Sequence, residues 1–136
     1  MKIYIGIDGG GTKTKAAALD ENAKLVARSE SGSMNYNFMP VKECASNVCE
    51  AINRLALGAE CRIVACAVGD PSIDDEVTHT LSGQFSRELQ AQAGFDAPVL
   101  LKSDVFMALY GLTEGSPGVL IISGTGSMGM GINKAG

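Results

Sequence analysis

Isoleucines at 3, 5 and 7 alternate with Tyr4, Gly6 and Asp8. A period of two predicts a strand with one apolar face. Directly after Asp8 come Gly9, Gly10 and Gly11, then Thr12-Lys13-Thr14 and an apolar run to Leu19. No other feature restricts the fold as much. The chain must run out along one strand, reverse in the glycines and return beside itself as a hairpin. An acid stands at the end of the outgoing strand, and two hydroxyls flank a lysine at the start of the return.

Residues 25–29 predict a third strand after the turn Asp20-Glu21-Asn22. Pro40, which has no N–H to lose, opens a helix. Val41, Ala45, Val48, Ile52 and Leu55 carry its apolar stripe, and Gly58 is its expected stop. Residues 62–68 predict a strand broken by Asp70-Pro71-Ser72. The acids Asp74, Asp75 and Glu76 suit the start of the next helix, which Gly94 should end. A strand over 98–102 leads into a helix over 104–110, capped by Ser103 or Asp104 and stopped by Gly111. Strands over 119–122 and 128–132 then flank the turn Gly124-Thr125-Gly126-Ser127. Three antiparallel strands followed by strand–helix alternation predict an α/β fold, a mixed sheet with helices on its faces.

The closing unit repeats the opening one. Each is a strand ending in a polar residue, a turn rich in glycine and hydroxyls, and a return strand. Asp8-Gly-Gly-Gly-Thr12 and Ser123-Gly-Thr-Gly-Ser127 read as one device used twice. An internal duplication that includes only the start of its second copy would produce this.

Consecutive glycines bring several N–H groups together with no Cβ in the way, and they reach backbone angles other residues avoid. That combination suits a phosphate group. Thr12, Thr14 and the Lys13 ammonium add donors. Asp8 would repel phosphate unless a cation lay between them, which points to Mg²⁺. A plain hairpin turn needs fewer glycines and less polarity.

Two familiar nucleotide motifs are excluded. A P-loop needs G-x-x-x-x-G-K-S/T, but Thr12 follows Gly11 where lysine is required, and a return strand follows instead of a helix. Gly124 to Gly129 matches G-x-G-x-x-G, but Met128-Gly-Met-Gly-Ile is a poor helix opening and no βαβ unit follows.

The net charge is −4, with no run of Lys or Arg. Phosphate backbones are held by clustered positive charge, so a nucleic-acid partner is not expected. No apolar run approaches the roughly 20 residues that span a bilayer, and Asp8 arrives too early for a signal peptide. The expectation is a soluble cytoplasmic protein with no membrane partner. Cys44 and Cys49 lie five positions apart in a helix, and Cys61 and Cys66 an odd number apart along a strand. Neither spacing brings thiols together, so free cysteines are expected rather than a metal or Fe–S site.

Ile5-Gly-Ile-Asp-Gly-Gly-Gly-Thr-Lys-Thr14 resembles the first phosphate motif of the actin, Hsp70 and sugar-kinase superfamily. Ile121-Ile-Ser-Gly-Thr-Gly-Ser127 resembles the second. Lys102-Ser-Asp-Val-Phe-Met-Ala108 resembles the stretch that holds the catalytic acid. The triple glycine and the SGTGS turn are most similar to the N-acetylglucosamine kinase and BadF/BadG/BcrA/BcrD ATPase family. The resemblance implies a ribonuclease-H-like domain over 1–117, with a mixed five-stranded sheet and helices on both faces. Residues 118–136 would be the first β-hairpin of a second such domain, cut short.

The resemblance also implies ATP as phosphoryl donor and Mg²⁺ as its cation. Gly9, Gly10, Gly11, Thr12, Lys13 and Thr14 would hold the phosphates, with Gly124, Thr125, Gly126 and Ser127 facing them across a cleft. Asp8 would hold the metal through water. Asp104 would take the proton from a sugar hydroxyl as it attacks the γ-phosphoryl group. Asn35 would bind the sugar, with Thr125 near sugar or phosphate. The full-length protein would be a homodimer, and this portion alone would bind ATP weakly and turn over little. One departure stands out. Where relatives carry a small-residue turn such as G-x-(A/S)-G, this chain has Ala67-Val68-Gly69-Asp70. Two other tasks fit the resemblance: an ATPase that activates an acyl-CoA reductase or dehydratase, and a non-catalytic sugar-sensing regulator.

Overall fold

The computed structural model describes residues 1–73, 75–123 and 127–135. Its strands are β1 (Lys2–Asp8), β2 (Thr14–Leu19), β3 (Leu25–Ser31), β4 (Arg62–Asp70), β5 (Val99–Ser103), β6 (Gly118–Ser123) and β7 (Ser127–Ile132). Its helices are α1 (Val41–Arg54), α2 (Asp75–Ala93) and α3 (Asp104–Thr113). Five strands form one mixed sheet in the order β3-β2-β1-β4-β5. β3, β2 and β1 are antiparallel neighbours, whereas β4 lies parallel to β1 and β5 parallel to β4. β6 and β7 form a separate antiparallel pair. The mixed five-stranded sheet with helices on both faces, followed by a hairpin, is the architecture expected from the sequence.

The alternation in β1 decides which face is buried. Ile3, Ile5 and Ile7 join Ala16, Ala18, Cys66, Val68 and Leu101 in one core. Val41, Ala45, Val48 and Ile52 of α1, with Leu81, Phe85 and Leu89 of α2, close over that face. α3 lies on the opposite face, beside β4. Tyr4, Gly6 and Asp8 look out on that second side.

Several boundaries differ from the sequence reading, and three of them have a clear local cause. α1 ends at Arg54 rather than near Gly58. Leu55 and Ala56 donate to Ile52 and Asn53 at 3.1 Å, a tighter last turn, and Ala56 takes a left-handed φ of 50°. α3 runs through Gly111, whose missing side chain has open space around it, and stops where Glu114 and Gly115 take φ of 52° and 78°. β4 runs on through Gly69 and Asp70, which pair with Lys102 and Ser103. This last difference matters most, because it places both residues inside the sheet.

Candidate functional site

Asp8 and Asp104 reach one groove from different elements. Asp8 closes β1, one residue past buried Ile7, so the pleat turns its carboxylate to the second face. In register it stands between Gly69 of β4 and Lys15 of β2. Asp104 opens α3 immediately after β5. Ser103, not Asp104, caps that helix, its hydroxyl accepting from the Phe106 amide at 3.2 Å. One Asp104 oxygen accepts from the Val105 amide at 2.7 Å. Gly69 lets α3 lie close against the sheet. A Cβ there would lie 3.1 Å from the Asp104 Cα and 3.4 Å from Met107. Both carboxylates line a groove of about 870 Å³ with a floor of Gly6, Ala17 and Ala67. It opens near the carboxyl ends of the parallel strands, where sheets of this kind take ligands.

The glycine turn is built for close approach. None of Gly9, Gly10 and Gly11 has the positive φ that would demand glycine, contrary to the expectation of unusual backbone angles. A Cβ on Gly9 would stand 2.7 Å from the Gly69 carbonyl oxygen and 3.0 Å from the Met34 sulfur. One on Gly10 would stand 2.7 Å from the Lys13 carbonyl oxygen. A Cβ on Gly11 would meet only the Asn35 amide nitrogen, at 3.9 Å. The Gly9 amide donates to Gly69 at 2.8 Å. The amides of Gly10, Gly11 and Thr12 donate to no backbone carbonyl among the described residues.

The remaining turn residues divide. Thr12 is exposed. Lys13 is exposed too, and its ammonium holds Glu30 of β3 at 3.0 Å, a surface pair that exchanges partners at little cost. Thr14 points into the core, fully buried, and its hydroxyl has no hydrogen-bond partner among the described residues. It can offer a ligand its backbone only. Ser127 begins β7 opposite Ser123. Gly124, Thr125 and Gly126 lie outside the described residues.

Asn35 sits on the loop between β3 and α1, its side chain beside the glycine turn. Its Oδ1 accepts from the Asn37 amide at 3.1 Å, which leaves Nδ2 toward Gly11. The loop is tied to the turn through the Met34 amide, which donates to the Gly10 carbonyl at 2.9 Å.

Sequence reasoning missed two residues. Lys15 faces the groove between the acids Asp8 and Glu30. Its signal was parity, since it stands one position from buried Thr14 and Ala16. Asp70 read as a turn breaker but is buried at the end of β4. Burial pushes its carboxyl up, the two bonds from Ser72 pull it back, and the nearby Asp104 adds a smaller upward push. All four cysteines are free, and Cys44, Cys49 and Cys66 are buried. Burial raises Cys66 to about 12 and Cys44 to about 11.

Among the described residues no three His, Cys, Asp or Glu side chains gather to hold a metal ion. A Mg²⁺ ion does not need such a cluster. It is commonly held by one or two carboxylates, with phosphates and water filling the shell. Asp8, an exposed hard oxygen donor beside uncommitted amides, fits that pattern. No described helix is long and apolar enough to cross a membrane.

Residues 5–136 match the model of the BadF/BadG/BcrA/BcrD ATPase family. The chain is 30% identical over 146 residues to the N-acetyl-D-glucosamine kinase of Dictyostelium discoideum, covering 99% of itself and 45% of that protein. It is 31% identical over 138 residues to a glucosamine kinase of Vibrio cholerae, covering 96% and 43%. A ROK family glucokinase from Streptomyces griseus, solved with glucose and AMPPNP, shares the fold. The TM-score is 0.65 and the identity 19%, over 96% of this chain and 44% of that one. The chain thus spans about half the length of the curated relatives it matches.

Proposed function

The chain belongs to the BadF/BadG/BcrA/BcrD ATPase family, and from that membership we propose that its protein transfers the γ-phosphoryl group of ATP to a hydroxyl of an amino sugar, N-acetylglucosamine or a near relative. One observation carries the reading. Asp8 and Asp104 share a groove on either side of Gly69, and the glycine turn begins directly after Asp8. The names of the two sugar-kinase relatives support the substrate class.

In this reading the uncommitted amides of Gly10, Gly11 and Thr12 hold phosphate oxygens. Lys15 adds positive charge from the next strand, and Lys13 adds more if it leaves Glu30. Ser127, with Gly124, Thr125 and Gly126, would grip the phosphates from the second hairpin. Asp8 would hold Mg²⁺, which when bound offsets charge on the phosphate oxygens. Asn35 orients the sugar with its free amide N–H. Asp104 accepts the hydroxyl proton as that oxygen forms its bond to phosphorus and the bond to ADP breaks. Such transfer depends on positioning and charge more than on covalent chemistry. With its cap supplied by Ser103, Asp104 is free for that task.

Residues 1–117 form the N-terminal domain in this scheme and 118–136 begin a second. The adenosine pocket would come from the half of the relatives' length that this chain does not span. The 136 residues alone should therefore bind ATP weakly and turn over little. The test is ADP release by the complete protein with Mg-ATP and a panel of amino sugars. Release that depends on N-acetylglucosamine or glucosamine is expected. Release indifferent to every sugar would overturn the reading.

A further inference from the structure

Asp70 is an ionisable group that phosphoryl transfer leaves without a task. It is 1% exposed. Met34, Tyr36, Ile73, Phe85 and Leu101 surround it about a small apolar void. A carboxylate in such a place is costly to bury. The turn after β4 does not itself require an acid.

What the carboxylate does is hold Ser72. Its Oδ1 accepts from the Ser72 amide at 2.7 Å and also from the Ser72 hydroxyl. With its proton directed to Asp70, the Ser72 oxygen accepts from the Tyr36 amide at 2.9 Å. Tyr36 directly follows Asn35. On the other side of Asn35, the Met34 amide is bonded to the Gly10 carbonyl and the Met34 side chain packs beneath Gly9. Asn35 is thus clamped between two backbone anchors. One rests on the glycine turn and the other on Asp70 through Ser72. A polar group aimed in advance loses less freedom when it meets a ligand.

We propose that Asp70 and Ser72 are positioning residues of the acceptor site: by fixing the Tyr36 amide they aim Asn35, and so set affinity for the sugar rather than the rate of transfer. The proposal rests on the sugar-kinase reading. The two effects separate most cleanly at Ser72, which carries no charge, because Asp104 is held by the Ser103 cap and the close contact at Gly69.

The experiment is steady-state kinetics of the complete protein with N-acetylglucosamine and Mg-ATP. Ser72→Ala and Asp70→Ala should each raise the sugar KM by up to about tenfold, the most that loss of one neutral hydrogen-bonded anchor is worth. The kcat and ATP KM of Ser72→Ala, which removes no charge near Asp104, should stay within about twofold of the unaltered protein. Ser72→Thr keeps the hydroxyl and Asp70→Asn keeps the acceptor oxygen, so both should recover most of the affinity. Should Asp70→Ala fail to fold, Ser72→Ala decides alone. An Ala variant that melts earlier but keeps its sugar KM would overturn the proposal, as would a loss confined to kcat. If the unaltered protein phosphorylates no sugar at all, the sugar-kinase reading falls and this proposal with it. If it works normally and the variants match it, only this proposal falls.

Discussion

The Gly9 amide donates to the Gly69 carbonyl at 2.8 Å, tying the start of the glycine turn to the end of the neighbouring parallel strand. The turn is therefore not a free flap. Its first residue is part of the framework, and only the residues after it keep uncommitted amides among the described residues.

Alanine substitution should separate these roles. At Gly9 a methyl group would overlap the Gly69 oxygen, so Gly9→Ala should destabilise the protein by about 1–3 kcal/mol. At Gly11 the methyl group meets an ordinary contact distance, and Gly11→Ala should stay within about 0.5 kcal/mol. Gly11→Ala should nevertheless weaken Mg-ATP binding, because its methyl would crowd the amides proposed to hold phosphate. Urea unfolding and nucleotide titration of both variants check this.

Thr14 supplies a second test. Its buried hydroxyl gains no hydrogen bond from the described protein groups. Thr14→Val keeps the β-branched shape and removes the unsatisfied group, so stability should be unchanged or rise by about 1 kcal/mol. A fall in melting temperature would show that the hydroxyl has a partner in solution.

The hairpin, the mixed sheet and the helix faces were legible because hydrophobic periodicity follows directly from which face each element buries. Ile3, Ile5 and Ile7 announced their own core. The purpose of the glycines was less legible. Sequence shows that a Cβ is missing but not whether a dihedral or a neighbouring strand requires it. Here the neighbour is Gly69, sixty residues away along the chain. The depth of Asp70 was hidden for a related reason. Asp-Pro-Ser has the composition of a surface turn, and only the pairing of β4 with β5 draws its acid inside. Thr14 and Lys15 show the same limit in miniature, since strand parity decided which of two polar neighbours faces the groove.

Asp70 carries a pH signature. Burial raises its carboxyl above the ordinary 3.8. Below that ordinary value the folded and unfolded chains both hold the proton, and Asp70 costs nothing through ionisation. As pH rises past it, the unfolded chain ionises more readily than the folded one, and stability declines. Asp70→Asn should thus be more stable than the unaltered protein at neutral pH, with the gain shrinking as pH falls toward 3.8. Urea midpoints across that range test the sign. A gain that grows on acidification would contradict it.

Asp104→Asn keeps the size of the side chain and its acceptor for the Val105 amide, but removes its capacity to take a proton. Turnover should fall by about 10²–10⁴-fold with Mg-ATP affinity nearly unchanged. Single-turnover kinetics beside nucleotide titration measures both. An undiminished rate would take Asp104 out of the reaction.

The most direct measurement is a crystal structure of the complete protein with N-acetylglucosamine, Mg²⁺ and a non-hydrolysable ATP analogue. The terminal phosphates should rest on the amides of Gly10, Gly11 and Thr12, with Asp8 turned to the metal and Asp104 against a sugar hydroxyl. A nucleotide bound elsewhere, with the glycine turn empty, would contradict the assignment of this groove to phosphoryl transfer.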